Sequence, residues 1–424
     1  MSASRASSRH QQIGRSRIAV TVAASFALWA VPNGAEADAV TDWNVHAMTA
    51  TATMAGPFHA RALGYVHAAI FDAVNAVERR YTSQFVDLQA PAGASPEAAA
   101  AASAHGVLTR LFPNQKATLD AALASSLAAV PDGQGEQDGV ALGQTVAERI
   151  FAMSVDDGST ATKTYTPGAT PTSWSPTLSG IPARFAQWGG VRLMMLKSRD
   201  QFKLPGFPPI DSARYAEEVN EVAALGSATS QARTGEQTAV AIFWTISASV
   251  PLNAAARAAS VTHHFDLAQN ARLFALVNMA THDACIAIWG AKYDYDMLRP
   301  ETAIRDAPKL GNPGIHHIPD WEPLLVTPAF PDYPSGHSGV TGAGVGVLQR
   351  VFGSDEVEVS VNFPTPPAGV TRRYKSFSAI ESEVIEARIW AGAHIRTSDV
   401  DAAQLGHQIA DYAVANFMRP RTPF

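Results

Sequence analysis

The stretch LAQNARLFALVNMATHDACIAIWGAKYDYDMLRP, residues 267–300, decides the fold. Leu267, Phe274, Val277, Cys285 and Ile288 recur in it at helical spacing, which predicts one long apolar helix. Working outward, Val66, Ile70, Phe71, Val74 and Val77 follow the same period, and the Ala-rich stretches 97–104 and 117–130 have high helix propensity. Thr234-x-x-Gln237 and Ser378-x-x-Glu381 each resemble a capping box ahead of an apolar helical pattern. Only Val357, Val359, Val361 and Phe363 alternate with period two, enough for one short strand or hairpin arm. Between the helical segments lie long Pro/Gly/Ser/Thr stretches at about 156–186, 203–211 and 306–335. Compact domains keep such long connections mainly where they cover or build a site. The expected fold is therefore all-α: a helical domain over residues 38–424, built as one bundle or as two packed four-helix bundles, with site-forming loops at one end.

Composition narrows the function. A chain of 424 residues, 46% apolar and 17% charged, can bury a large core and is not wholly disordered. Its net charge of −6 gives no footprint for nucleic acid, so a tight cluster of Arg, Lys and His needs a local reason. One cysteine, Cys285, leaves no internal disulfide and no multi-cysteine metal site, and fits a core position. At the N-terminus, Arg5, Arg9, Arg15 and Arg17 precede an apolar run from Ile18 to Val31 and the small-x-small triplet Ala35-Glu36-Ala37. That is the pattern of a secretory signal peptide over residues 1–37, with an apolar run too short to span a bilayer. The expected mature chain has no stable membrane span, is secreted or periplasmic, and carries a net charge of −9. Nothing in the sequence sets an oligomeric state.

Three segments of the C-terminal third gather anion-binding groups. Lys292 and Arg299-Pro300 stand at the end of the long helix. Pro334-Ser335-Gly336-His337 leads into a run of small and apolar residues that reads as another helix. Arg388 is followed six residues later by His394. Each piece suits a tetrahedral oxyanion. Gly336 admits a close backbone approach, and a helix start offers free N–H groups with partial positive charge. The Ser335 hydroxyl adds a donor; Arg299 and Arg388 offer planar forks, and Lys292 a compact charge. Three cations and two histidines are costly to bring together unless an anion neutralises them. On an ideal helix Arg388 and His394 lie roughly 120° apart. They flank one ligand if His394 sits at the helix end and the arginine curls back. Ser398 or Asp399 then begins a further helix.

Other polar residues carry weaker signals. His263-His264 and His316-His317 fit solvated loops or helix starts better than a second metal site, and Asp294 and Asp296 flank the first motif. Asp72 and Asp283 interrupt apolar helical patterns, where a carboxylate is a surface group, a cap, or a buried partner of a catalytic His or Arg.

The three motifs together resemble the vanadium-dependent haloperoxidases, grouped with the type 2 phosphatidic acid phosphatases and bacterial acid phosphatases. That family's pattern is Lys-x6-Arg-Pro, then Pro-Ser-Gly-His, then Ser-Arg-x5-His-x3-Asp. The resemblance covers roughly residues 265–415 and includes Thr327-Pro-Ala-Phe-Pro-Asp-Tyr before the second motif. It implies that His394 bonds vanadium, that Lys292, Arg299, Ser335, Gly336 and Arg388 hold the vanadate oxygens, and that His337 is the acid/base group. Trp289 and Phe330 match positions that shape an apolar halide pocket in the haloperoxidases, although both also suit ordinary packing. The implied cofactor is vanadate, with hydrogen peroxide and halide as substrates. In the phosphatase alternative, phosphate occupies the site, a phosphate monoester is cleaved, and His394 is the nucleophile. Two positions depart from the pattern: Ala387 stands in place of the Ser, and Ser398 in place of the Asp, with Asp399 one residue late. Asp399 is thus either the orienting acid, displaced by one position, or a helix cap.

Overall fold

The computed structural model describes residues 38–54, 56–362 and 371–421. The signal peptide expected over residues 1–37 lies outside them. The described chain forms fourteen α-helices and a single two-stranded sheet. The first five helices are α1 (Ala39–Ala50), α2 (Pro57–Glu78), α3 (Pro96–Leu111), α4 (Lys116–Leu127) and α5 (Gln134–Val155). Next come α6 (Ala213–Leu225), α7 (Gly235–Phe243), α8 (Ser249–Thr262), α9 (Leu267–Tyr295), α10 (Pro300–Arg305) and α11 (Ala307–Leu310). The last three are α12 (Gly336–Phe352), α13 (Phe377–Trp390) and α14 (Arg396–Asn416). Between α12 and α13, β1 (Glu356–Asn362) pairs antiparallel with β2 (Thr371–Ser376).

Local signals explain where the helices start and stop. Asp266 and Gln269 close a capping box on α9, and the chain leaves that helix at Asp296 in the left-handed region. Thr234 and Gln237 make the expected capping box on α7. The second expected box is not one: Ser378 lies inside α13, and Ser376 caps it by accepting from the Ala379 N–H. The β1 alternation holds, with Val357 and Val361 buried; Phe363 falls outside the described residues.

Helices α1 to α5 pack on one another, and α9, α12, α13 and α14 form a second group. Helix α2 lies along α9 and joins the two. One apolar core runs through both groups and takes in Trp43, Trp188, Trp244 and Phe274. Helix α9 is at the centre. By length and composition it could cross a membrane, yet its most apolar stretch is wholly buried inside the fold.

Two contacts fix the site end of the second group. Helices α12 and α14 approach so closely that a Cβ on Gly342 would stand 2.4 Å from the Ala403 carbonyl. That closeness brings Ser335 beside Ser398, whose carbonyl accepts the Ser335 N–H at 2.8 Å. After α13, Gly392 turns the chain at φ +77°, where a Cβ would meet the Gly226 carbonyl at 2.8 Å. His394 therefore lies past the helix end, in the short turn before α14.

Asp72 and Asp283 are both buried, and neither contacts a catalytic candidate. Asp72 accepts the backbone N–H groups of Gln84, Phe85 and Val86. Asp283 does the same for Met194, Met195 and Leu196, at 2.7–2.8 Å. Each carboxylate clips a long loop to a core helix. Cys285 is a buried free thiol. His263 packs on Phe352, and the ring of His317 meets the Arg305 carbonyl. Asp294 pairs with Arg199 at 2.9 Å, and Asp296 accepts from the Tyr165 hydroxyl.

Candidate active site

The three motifs converge at one end of the second helical group. Lys292, on the last turns of α9, is fully buried. Its ammonium donates to the carbonyls of Pro331 and Asp332, at 3.0 and 2.8 Å, and sits 5.1 Å from the centre of the Phe330 ring. A lysine has three donors, so one remains. Arg299 is fully buried just ahead of α10, with Pro300 at that helix's first position. Its Nε donates to the Phe330 carbonyl and its Nη1 to the Ala393 carbonyl, both at 2.7 Å. Nη1 also lies 3.3 Å from the His394 Nε2, and Nη2 has no partner.

Ser335 precedes α12 but does not cap it with its side chain, leaving the first-turn N–H groups without a side-chain acceptor. Its buried hydroxyl lies beside the Asp399 carboxylate, whose Oδ2 has no other hydrogen-bond partner among the described residues. Gly336 is occupied from the side by the Trp289 indole; a Cβ there would meet the ring at 2.8 Å. His337, half-buried on the first turn of α12, has its Nε2 3.1 Å from the Ile246 carbonyl. A carbonyl only accepts, so Nε2 carries the proton and Nδ1 the lone pair. Arg388 is buried near the end of α13. It forms no ion pair among the described residues, and its Nε has no partner.

Electrostatics shows what the cluster lacks. Burial, reinforced by Arg299, pushes the Lys292 ammonium well below its ordinary range, and burial lowers Arg299 to about 10. Burial and then the Arg388 charge lower His337 to about 3. His394 is pushed well down by burial and then by the neighbouring cations. Two buried carboxylates, Asp332 and Asp399, offset part of this charge, yet burial raises them to about 6 and about 7. Every base in the cluster is pressed to lose a proton, and Arg299 Nη2 and Arg388 Nε are buried donors without acceptors. An anion with several oxygens would answer all of these demands together, so the residues present fit a vanadate-like group.

Some site residues carry no signal in the sequence. Asp332, from the Phe-Pro-Asp-Tyr segment, hydrogen-bonds through Oδ1 to the His394 Nδ1 and accepts from Ser398 Oγ at 2.9 Å. The one available hint was an acid two residues before Pro334. Asp399 is neither a cap nor a partner of His394. It lies inside the first turn of α14, which begins at Arg396, and accepts from Ser338 Oγ at 2.6 Å. Phe185 completes an aromatic wall, its ring centre 5.9 Å from Trp289 and 6.3 Å from Phe330, which are 5.4 Å apart. Its φ of +61° is unusual for an aromatic residue, and packing against Phe58 and Trp188 holds it there.

Fold and site together define a helical-bundle protein with a buried, cation-lined cage that fits an oxyanion. The family model of the VCPO second helical-bundle domain matches residues 272–422, which carry all three motifs. Over 171 residues the chain is 31% identical to the vanadium chloroperoxidase of Curvularia inaequalis, covering 34% of this chain and 27% of that protein. The match thus spans about a quarter of that relative's length. Among solved structures, a bacterial vanadium-dependent iodoperoxidase superposes with a TM-score of 0.75 at 27% identity, over 91% of this chain and 97% of that one. The holo form of a bacterial vanadium-dependent chloroperoxidase shares the fold, with a TM-score of 0.70 at 19% identity over 89% of this chain and 97% of that one. Residues 272–422 thus resemble the second helical-bundle domain of the vanadium haloperoxidases, and the fold over most of the chain is similar to theirs.

Proposed function

We propose that this protein is a vanadium-dependent haloperoxidase, oxidising halide with hydrogen peroxide. The carrying observation is the pair of buried guanidinium donors left without acceptors beside His394, on Arg299 and Arg388. Bound vanadate supplies a Lewis-acidic centre at which peroxide is activated for oxygen transfer to halide. The chain's own residues do the rest. His394 offers Nε2 as the ligand atom. Arg299, Arg388, the Ser335 hydroxyl and the Gly336 N–H hold oxygens, and the free N–H of Lys292 polarises one of them. Neutral His337 accepts a proton at Nδ1 and can return it. Trp289, Phe330 and Phe185 form an apolar wall that favours a large, weakly hydrated halide over water.

Export belongs to the same proposal and rests on the leader pattern. In its support, cleavage after Ala37 would leave Asp38 as the first residue, and Asp38 caps α1 in a capping box with Thr41.

A paired assay tests the function. Protein freed of oxyanions is assayed for peroxide-driven bromide oxidation with and without orthovanadate, beside hydrolysis of a phosphate monoester. Bromide oxidation that requires vanadate is expected. Hydrolysis blocked by vanadate, without bromide oxidation, would show a phosphatase instead and overturn the proposal.

A further inference from the structure

We infer that Asp332 is the positioning residue of His394, fixing the tautomer and orientation that leave Nε2 free to bond the oxyanion. A carboxylate accepts and cannot donate, so the bond between Asp332 Oδ1 and His394 Nδ1 places the ring proton on Nδ1 and the lone pair on Nε2. The carboxylate is itself held. Ser398 Oγ donates to Oδ2 at 2.9 Å, and Arg299 Nη1 stands 3.9 Å from Oδ1. Its main chain is fixed as well: the Asp332 N–H donates to the Met297 carbonyl at 3.0 Å, and its carbonyl accepts from Lys292 at 2.8 Å. One fully buried residue thus ties the histidine to the lysine, the arginine and α14. Asp399, the acid closer in sequence, has its Oδ1 on Ser338 and no bond to His394.

The inference rests on the proposed reading of His394 as the oxyanion ligand, and two kinds of measurement separate their fates. Orthovanadate is titrated calorimetrically into anion-free wild type, His394→Ala, Asp332→Ala, Asp332→Asn and the double variant Asp332→Ala with Ser398→Asp. Nitrogen-15 shifts of the His394 ring report its tautomer without any anion present. Asp332→Ala is expected to bind vanadate about ten- to a hundredfold more weakly and to lose the Nδ1–H signature. The isosteric Asp332→Asn keeps the packing and weakens binding in the same direction. In the double variant, the new carboxylate grows from the residue that touched Oδ2 into the space vacated, and restores most of the affinity. Wild-type affinity and an unchanged tautomer in both single Asp332 variants, with binding lost in His394→Ala, overturns the inference alone. Wild-type affinity in His394→Ala overturns the reading of the site beneath it.

Discussion

Arg388 most clearly lacks a partner among the described residues. A guanidinium buried without an acceptor for Nε is costly in a finished site and natural in one built for an anion. In the proposed function His337 and His394 divide the work around it. His337→Ala is expected to keep vanadate and to lower turnover by about 10²–10⁴, since it removes a proton carrier and no anchor. Calorimetry beside the bromide assay checks this; loss of vanadate binding in that variant would make His337 an anchor. Asp399 gives a pH signature. Burial keeps its carboxyl protonated up to about pH 7, whereas the ordinary value is 3.8. The folded state then binds the proton more tightly, so this group's stabilisation is complete below about pH 4 and lost as pH rises towards 7. Asp332, raised to about 6, acts in the same sense. Asp399→Asn, neutral at every pH, should flatten the fall in melting temperature between about pH 4 and 7, and an unchanged slope would contradict this.

At the scale of the element, helix ends and loop clips place the site. Lys292 closes a long helix, Ser335 opens another, and Gly392 breaks a third so that His394 swings back towards Arg299. All three motifs were legible in the sequence because each couples a special backbone position to a charged or polar side chain within a few residues. Asp332 and Phe185 were not. Asp332 meets His394 across 62 residues, and Phe185 depends on a left-handed backbone and on rings far away in the chain. The carboxylates at 72 and 283 were visible as anomalies in apolar helices, but their partners are backbone N–H groups of loops, which no side-chain pattern reveals. Asp283→Ala would leave three buried N–H groups without acceptors and should destabilise the protein by on the order of 3 kcal/mol. Chemical denaturation measures it; a change near zero would show that the 194–196 loop holds without the clip.

For the whole molecule, the all-α architecture followed from hydrophobic periodicity, because long helices must bury one stripe or, like α9, every face. How the two helical groups meet along α2 and α9 did not, since a helix buried all round has no periodic face to mark its neighbour. The net charge of −6 concealed a cluster of Lys292, Arg299 and Arg388 in the interior. Whether this cluster holds an oxyanion is decided by a crystal structure of the protein soaked with orthovanadate. A single oxyanion bonded to the His394 Nε2, with oxygens met by Arg299, Ser335 and Arg388, is the expected result. An oxyanion bound elsewhere, or none at saturating vanadate, would contradict it.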